Sequence, residues 1–194
     1  MKKYELTTEA LQFAGRTLHR IKAVKDFDSI KAGEFGGWIE NEKNLSQDDN
    51  AWIYGDAMVF DNAEVYDNAE VYGNAKVYGN ANVSGNANVS GNAEVSGNAE
   101  VSDYAKVYGN AAIKGDAKVH DAVDYIVFKN FWSSGRYFTW TSSNNKWSVG
   151  CFYGTSEELI KKAYADSEKS GREYERVVRY VESILADEKK EKSN

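Results

Sequence analysis

An aliphatic side chain recurs at every sixth position from Ile53 to Val119. The twelve positions are Ile53, Val59, Val65, Val71, Val77, Val83, Val89, Val95, Val101, Val107, Ile113 and Val119, without an exception. Two residues before each stands an alanine, from Ala51 to Ala117, and this register is also complete. Residues two apart share one face of a strand, so each Ala-x-Val triplet turns both apolar side chains inward. Between triplets lie an outward residue and a pair that is most often Gly-Asn, as at Gly73-Asn74, Gly79-Asn80 and Gly85-Asn86. Both residue types tolerate positive φ, which suits them to a turn repeated once per unit. A unit of this length is too short for a hairpin. The chain must continue round one axis, and V-x-G-N-A-x predicts a parallel β-solenoid. Proline is absent from the whole sequence, as expected where successive coils hydrogen-bond through nearly every amide.

This pattern resembles the hexapeptide-repeat superfamily, in which an aliphatic residue is followed by variable positions and a small residue at the fifth place. The resemblance implies a left-handed parallel β-helix with three hexads to a triangular coil. Four such coils make a prism roughly 19 Å tall at strand spacing. Upstream, Gly36-Gly37-Trp38-Ile39 and Asn44-Leu45 read as two degenerate hexads with a two-residue insertion before Ala51, so the solenoid is expected over 33–122. The segments RTLHRIKAVKDF and GGWIENEKNLSQDDNAWIYGDA also resemble the opening of uncharacterised bacterial and phage hexapeptide-repeat proteins described as polymer-forming. That likeness implies a fold and a prophage context, with action against a host defence component as one role such a context would offer.

A solenoid needs covers at its ends, where backbone groups and apolar cross-section would otherwise lie open. Residues 1–32 are expected to supply one, as a hairpin of Tyr4–Thr8 and Thr17–Val24 around Gly15. The other cover comes from 123–186, whose pattern is different. Tyr125–Phe128 reads as a strand, and Tyr137–Thr141 pairs with Lys146–Phe152 across a Ser-Ser-Asn-Asn turn. Thr155-Ser156-Glu157-Glu158 is a capping box opening a helix to about Ser167. A second helix is predicted from Arg172 to Ala186, with Tyr174, Val177, Val178, Val181, Ile184 and Leu185 on one face. The tail 187–194, DEKKEKSN, reads as a solvated, frayed end. The fold class is mainly β: a parallel β-helix with an N-terminal β cap and a small C-terminal α+β domain.

Charge divides the chain unevenly. Residues 51–122 carry ten acidic against four basic side chains, while 1–50 and 123–194 are each within one charge of neutral. An acidic surface repels nucleic acid and anionic membrane alike, so neither is an expected partner of the solenoid. The single cysteine, Cys151, permits no intramolecular disulfide and no paired-cysteine zinc site; placed in a predicted strand, it reads as a buried thiol. The N-terminal MKKYELTTEALQF lacks the apolar run of a signal peptide, and no apolar stretch is long enough to span a bilayer. The protein is therefore expected in the cytoplasm of a bacterial host.

The outward position after each aliphatic residue runs Tyr54, Phe60, Tyr66, Tyr72, Tyr78, then Ser84, Ser90, Ser96, Ser102, then Tyr108, Lys114, His120. The aromatic band Tyr54, Phe60, Tyr66, Tyr72 and Tyr78 has two readings: an oligomer interface, with a homotrimer implied by the family resemblance, or a ladder within the chain covered by the hairpin. A γ-class carbonic anhydrase of this fold needs three histidines for zinc, and only His19 and His120 are present. An acyltransferase needs one histidine as general base, for which His120 is the candidate. The regular coils lack the protruding loop such enzymes carry.

The aromatics Trp132, Tyr137, Phe138, Trp140, Trp147, Phe152 and Tyr153 crowd the C-terminal unit. Beside Arg136 and Lys146 they can stack a base and hold phosphates, or they can simply form the core. Arg172, Arg176 and Arg179 make a stripe able to bind an anion, or a face paired with Glu168 and Glu175. The binding candidates are thus Trp132, Arg136, Tyr137, Trp140, Lys146, Trp147, Arg172, Arg176 and Arg179. The functional reading is a non-enzymatic scaffold that presents its C-terminal unit to a protein or a small, nucleotide-like ligand, with no cofactor, metal or catalytic residue. The alternative is an acyltransferase using His120.

Overall fold

The computed structural model describes residues 2–132 and 134–191. The chain opens with a hairpin, β1 (Tyr4–Phe13) and β2 (Arg16–Ala23), turning at Ala14 and Gly15, both at positive φ. β3 (Phe35–Ile39) follows, then twelve two-residue strands from β4 (Trp52–Ile53) to β15 (Lys118–Val119). Val59 pairs with Val77, Val77 with Val95, and Val95 with Ile113. The 18-residue spacing means three hexads close one coil, in a parallel β-solenoid of about five coils. At the start Ile39 pairs with Val59 and Leu45 bridges to Val65, two residues beyond that spacing; from Ile53 on Val71 it is regular. The insertion therefore lies between Leu45 and Ile53, and the first coil begins at β3. Every repeat Ala and Val/Ile is at most 1% exposed, so the inward reading holds at all of them. Burial of each Val stabilises the fold by roughly 1.5–3 kcal/mol.

The turn differs from its sequence reading in one respect. Positive φ falls on the first residue of the pair alone, Gly in most hexads and Asp at 61, 67 and 103. The Asn that follows is used for its side chain. Asn62 Nδ2 donates to Asn80 Oδ1 at 3.1 Å, and Asn80 to Asn98 at 3.0 Å, forming a ladder down one corner. Two of the three Asp residues also tie to the next coil, since Asp61 and Asp67 accept from the amides of Gly79 and Gly85.

Hydrogen bonding gives the solenoid a polarity that decides how each end is closed. Lys76, Tyr78 and Asn80 donate their amides forward to the carbonyls of Ala93, Val95 and Gly97, and other coils repeat this sense. The N-terminal end consequently presents mainly carbonyls, and the C-terminal end mainly amides. At the first end the covering groups are donors. Lys3 Nζ reaches the carbonyls of Asp49 (3.0 Å) and Ala51 (2.8 Å), Tyr4 Oη that of Leu45 (2.7 Å), and Asn44 Nδ2 that of Ala63 (2.8 Å). At the last end they are acceptors: Thr139 Oγ1 for Ala112 N–H (2.9 Å), Ser143 Oγ for Lys118 N–H (2.7 Å) and Asp124 Oδ2 for His120 N–H (2.7 Å). A buried backbone group left unpaired costs about 1–3 kcal/mol.

The C-terminal unit is an antiparallel sheet of β16 (Tyr125–Lys129), β17 (Tyr137–Thr141), β18 (Lys146–Val149) and β19 (Phe152–Gly154), packed on helices α1 (Ser156–Asp166) and α2 (Glu168–Glu191). Strand alternation separates its two faces. Phe138, Trp140, Trp147 and Val149 join Leu159, Tyr174, Val178 and Val181 in the core, while Thr139 on the opposite face meets the last coil. The Thr155–Glu158 capping box forms as its spacing predicts.

Four expectations are corrected here. The strand read over Lys146–Phe152 is broken by Gly150 at φ +58, which turns β18 back into β19 and leaves Cys151 exposed rather than buried. α2 starts at Glu168, not Arg172. Gly171 lies inside the helix, where the Tyr164 ring occupies the space a Cβ would need, 2.2 Å from that position. Residues 187–191 of the supposed frayed tail continue α2; 192–194 lie outside the described residues.

Candidate functional site

The polypeptide leaves the sheet after β16 through a loop held from within. Asn130, 1% exposed, donates its amide to the Arg136 carbonyl at 2.8 Å, and its side-chain oxygen accepts from Trp132 N–H at 3.1 Å. Ser134 Oγ adds a tie to Tyr174 Oη on α2 at 3.2 Å. This frame pushes Phe131 and Trp132 into solvent as a stacked pair, centroids 4.1 Å apart at 25°, with 71% and 52% of their surface exposed. Across from them α2 offers Tyr180, 56% exposed, whose ring meets Phe128 edge-on at 5.8 Å.

Loop, strand and helix enclose a cleft of about 440 Å³ lined by Phe128, Lys129, Phe131, Trp132, Glu173, Arg176, Val177 and Tyr180. Arg176 is held at 2.8 Å by Glu173, but the exposures differ: 72% for the guanidinium side chain and 15% for the carboxylate. Lys129 Nζ lies 5.6 Å from the Tyr137 ring centroid. The outward charges at the rim are thus cationic, above aromatic walls.

The binding candidates named from sequence separate into groups. Trp132 and Arg176 meet at this cleft. Trp140 (4% exposed) and Trp147 (0%) are core residues, their indole N–H groups already bonded to Asn145 and Ser156, so neither faces a ligand. Arg136 lines a second cleft of about 540 Å³ with Cys151, Lys162 and Asp166. Tyr137 borders the seam with the solenoid. Lys146 sits 5.0 Å from the Tyr153 ring and 3.9 Å from Asp116, at the joint between the two units. Arg179 bridges Glu175 and Glu182, which raises its pKa, and Arg172 is exposed one turn before Arg176.

Phe131 and Tyr180 were missed from sequence. Tyr180 falls outside the apolar stripe of its helix, a signal that it faces water. Phe131 adjoins Trp132 in a segment with no strand alternation. Neither signal says that the two meet.

The outward aromatic band is mostly occupied within the chain. Phe60 is 4% exposed, packed with Leu18 and Trp38, edge-on to Phe13 and stacked on Tyr78 at 5.1 Å. It is covered by the hairpin before any second copy arrives. Tyr54 meets Tyr72 edge-on at 6.3 Å, and burial followed by the hydrogen-bonded Glu70 pushes the Tyr54 phenol up to about 12. Tyr66 and Tyr72 keep 36% and 37% of their surface exposed.

His120 stands on the last coil with Nδ1 2.7 Å from Ser102 Oγ and 3.2 Å from Asp103 Oδ2. Both partners address the same ring nitrogen, so the trio is not a relay in which a base activates the serine through one nitrogen while a carboxylate orients the other. His19 is separate, its Nδ1 3.3 Å from the Thr7 carbonyl. Among the described residues no group of three or more His, Cys, Asp or Glu is placed to hold a metal ion, and no helix is long and apolar enough to cross a membrane.

These features define the class: a hexapeptide-repeat parallel β-solenoid carrying an antiparallel α+β unit on its C-terminal end. No family model matches the chain. Over 62 residues it is 39% identical to the uncharacterized acetyltransferase YdcK of Escherichia coli (strain K12), a match covering 28% of this chain and 19% of that relative's length.

Proposed function

We propose that the protein is a non-enzymatic binding scaffold, in which the solenoid assembles with copies of itself and presents the Phe131–Trp132 cleft to a ligand or partner. The cleft carries this reading. Phe131, Trp132 and Tyr180 are each more than half exposed around one concavity, while Trp140 and Trp147 of the same unit are core. Leaving a large apolar side chain in water forgoes about 1.5–3 kcal/mol, and such a cluster in a concave setting is the usual mark of a binding surface. The test is a fragment screen on the full chain by NMR, following the indole N–H resonances. Ligands that shift Trp132 and spare Trp147 are expected; a screen in which Trp132 never moves would contradict the reading.

Self-assembly rests on Tyr66 and Tyr72, which follow strands in two different sheets of the solenoid. A threefold ring joins unlike faces of neighbouring subunits, which is the arrangement two such faces suit. Light scattering should give a trimer mass that falls when Tyr66→Ser and Tyr72→Ser are combined; an unchanged mass rejects this interface.

A second reading, acyl transfer with His120 as base, is favoured by the acetyltransferase name of the relative and by the anchored Nδ1. Acetyl transfer from acetyl-CoA separates the two. The scaffold reading expects no transfer, whereas acetyl transfer that disappears in His120→Ala would establish the second.

A further inference from the structure

We infer that the Phe131–Trp132 cleft takes a free nucleoside monophosphate, the base against the aromatic walls and the phosphate at Lys129 and Arg176. The inference rests on the reading of this cleft as a binding site and adds the chemical class of the occupant.

Flat aromatic walls recognise a planar group, because stacking on a side-chain ring contributes about 1–3 kcal/mol per base. Here the stacked Phe131–Trp132 pair of the loop lines one cleft together with Phe128 of β16 and Tyr180 of α2, which meet each other edge-on. Its volume of about 440 Å³ falls within the roughly 300–1,000 Å³ typical of small-molecule sites and is too small for a folded partner. The rim sets the charge of the ligand. Glu173 lies under Arg176, 15% against 72% exposed, which fixes the guanidinium without cancelling it towards solvent. Lys129, also exposed, adds a second cation. An aromatic peptide side chain would use the walls but bring no anion to the outward faces of Lys129 and Arg176.

Membrane binding is the rival use of an exposed Phe-Trp pair beside basic residues. The net charge of −6 argues against it, since an anionic membrane surface repels an acidic chain. The acidic solenoid, with ten acidic against four basic residues over 51–122, disfavours a long polyanion and points to the free nucleotide rather than a nucleic-acid strand.

The experiment titrates the full chain with AMP, GMP, CMP and UMP while the Trp132 indole resonance is observed. Adenosine, inorganic phosphate, free indole, a single-stranded oligonucleotide and phosphatidylglycerol vesicles are the comparisons. The expected result is a saturable shift with at least one monophosphate, weaker binding of its nucleoside, and no shift with phosphate alone. Arg176→Gln should weaken monophosphate binding about tenfold, the loss of one charge-assisted bond, and Phe131→Ala with Trp132→Ala should abolish the response detected by calorimetry without changing the circular dichroism spectrum. Absence of binding by all four monophosphates overturns the inference, as does preference for the oligonucleotide or the vesicles. If free indole or a fragment binds where the monophosphates do not, the site stands and only this ligand class is rejected. If nothing moves Trp132, both fall.

Discussion

Single residues divide sharply by burial even where their types are the same. Trp147 and Trp132 illustrate it: the first is 0% exposed with its N–H bonded to Ser156, the second 52% exposed. Trp147→Ala should destabilise by about 3–5 kcal/mol, while Trp132→Ala should stay within about 0.5 kcal/mol; urea titration measures both. Lys3 is the other residue whose setting has a measurable consequence. Its side chain is 1% exposed, and burial, partly offset by Asp49, lowers its pKa from 10.5 to about 8. Between those values the unfolded chain holds the proton more tightly than the folded one, so stability rises with pH. Tyr4, pushed up by burial, acts in the opposite sense once unfolded tyrosine titrates near pH 10. The visible rise is therefore confined to about pH 8–10 and amounts to roughly 2 kcal/mol. Lys3→Met should remove this slope in denaturant titrations run across that range.

The hexad turn combines two demands, and two glycines separate them. Gly97 has φ +78, and a Cβ there would meet the Gly115 amide nitrogen at 2.8 Å; Gly109 has φ +71 with open space around it. Gly109→Ala should cost only the left-handed backbone term, about 1–2 kcal/mol. Gly97→Ala adds a backbone clash with the next coil and should cost distinctly more. Equal losses in thermal unfolding would mean that inter-coil spacing yields easily. Elsewhere Asp61, Asp67 and Asp103 accept the strained backbone. For Asp61 and Asp67 a compensating bond to the following coil is visible.

Across the whole molecule, the polarity of the solenoid ladder makes the two ends chemically different and assigns each flanking unit a structural task. Donor side chains close the carbonyl end, and hydroxyl and carboxylate acceptors close the amide end. Removing residues 123–194 would strip Thr139, Ser143 and Asp124 from the last coil and leave its amides and apolar cross-section open. Such a truncated chain should associate or precipitate, detectable as growth in scattered intensity. A clean species of unchanged stoichiometry would show that the C-terminal unit is dispensable as a cap and serves binding alone.

The repeat was fully legible in the sequence because every coil offers the same environment. One inward rule, Ala then Val or Ile, is obeyed at each turn, and the insertion before Ala51 shows as a break in a strict period. The capping box at Thr155 and the hairpin around Gly15 were legible for a similar reason, since their chemistry lies within a few residues. Other features depended on contacts between distant segments. The start of α2 at Glu168 brings Gly171 into the helix against the Tyr164 ring, and Phe60 reads as an outward aromatic until the hairpin covers it. Tryptophans of one short segment divide between core and solvent, because Trp140 and Trp147 lie on the sheet face that meets the helices and Trp132 stands in the loop after β16. The cleft belongs to this second kind. Phe131 and Tyr180 come from a loop and a helix far apart in the chain, and local periodicity carries no information about their meeting. The sequence by itself determined the solenoid, through short-range repetition; tertiary packing alone decided which aromatic side chains were left facing water.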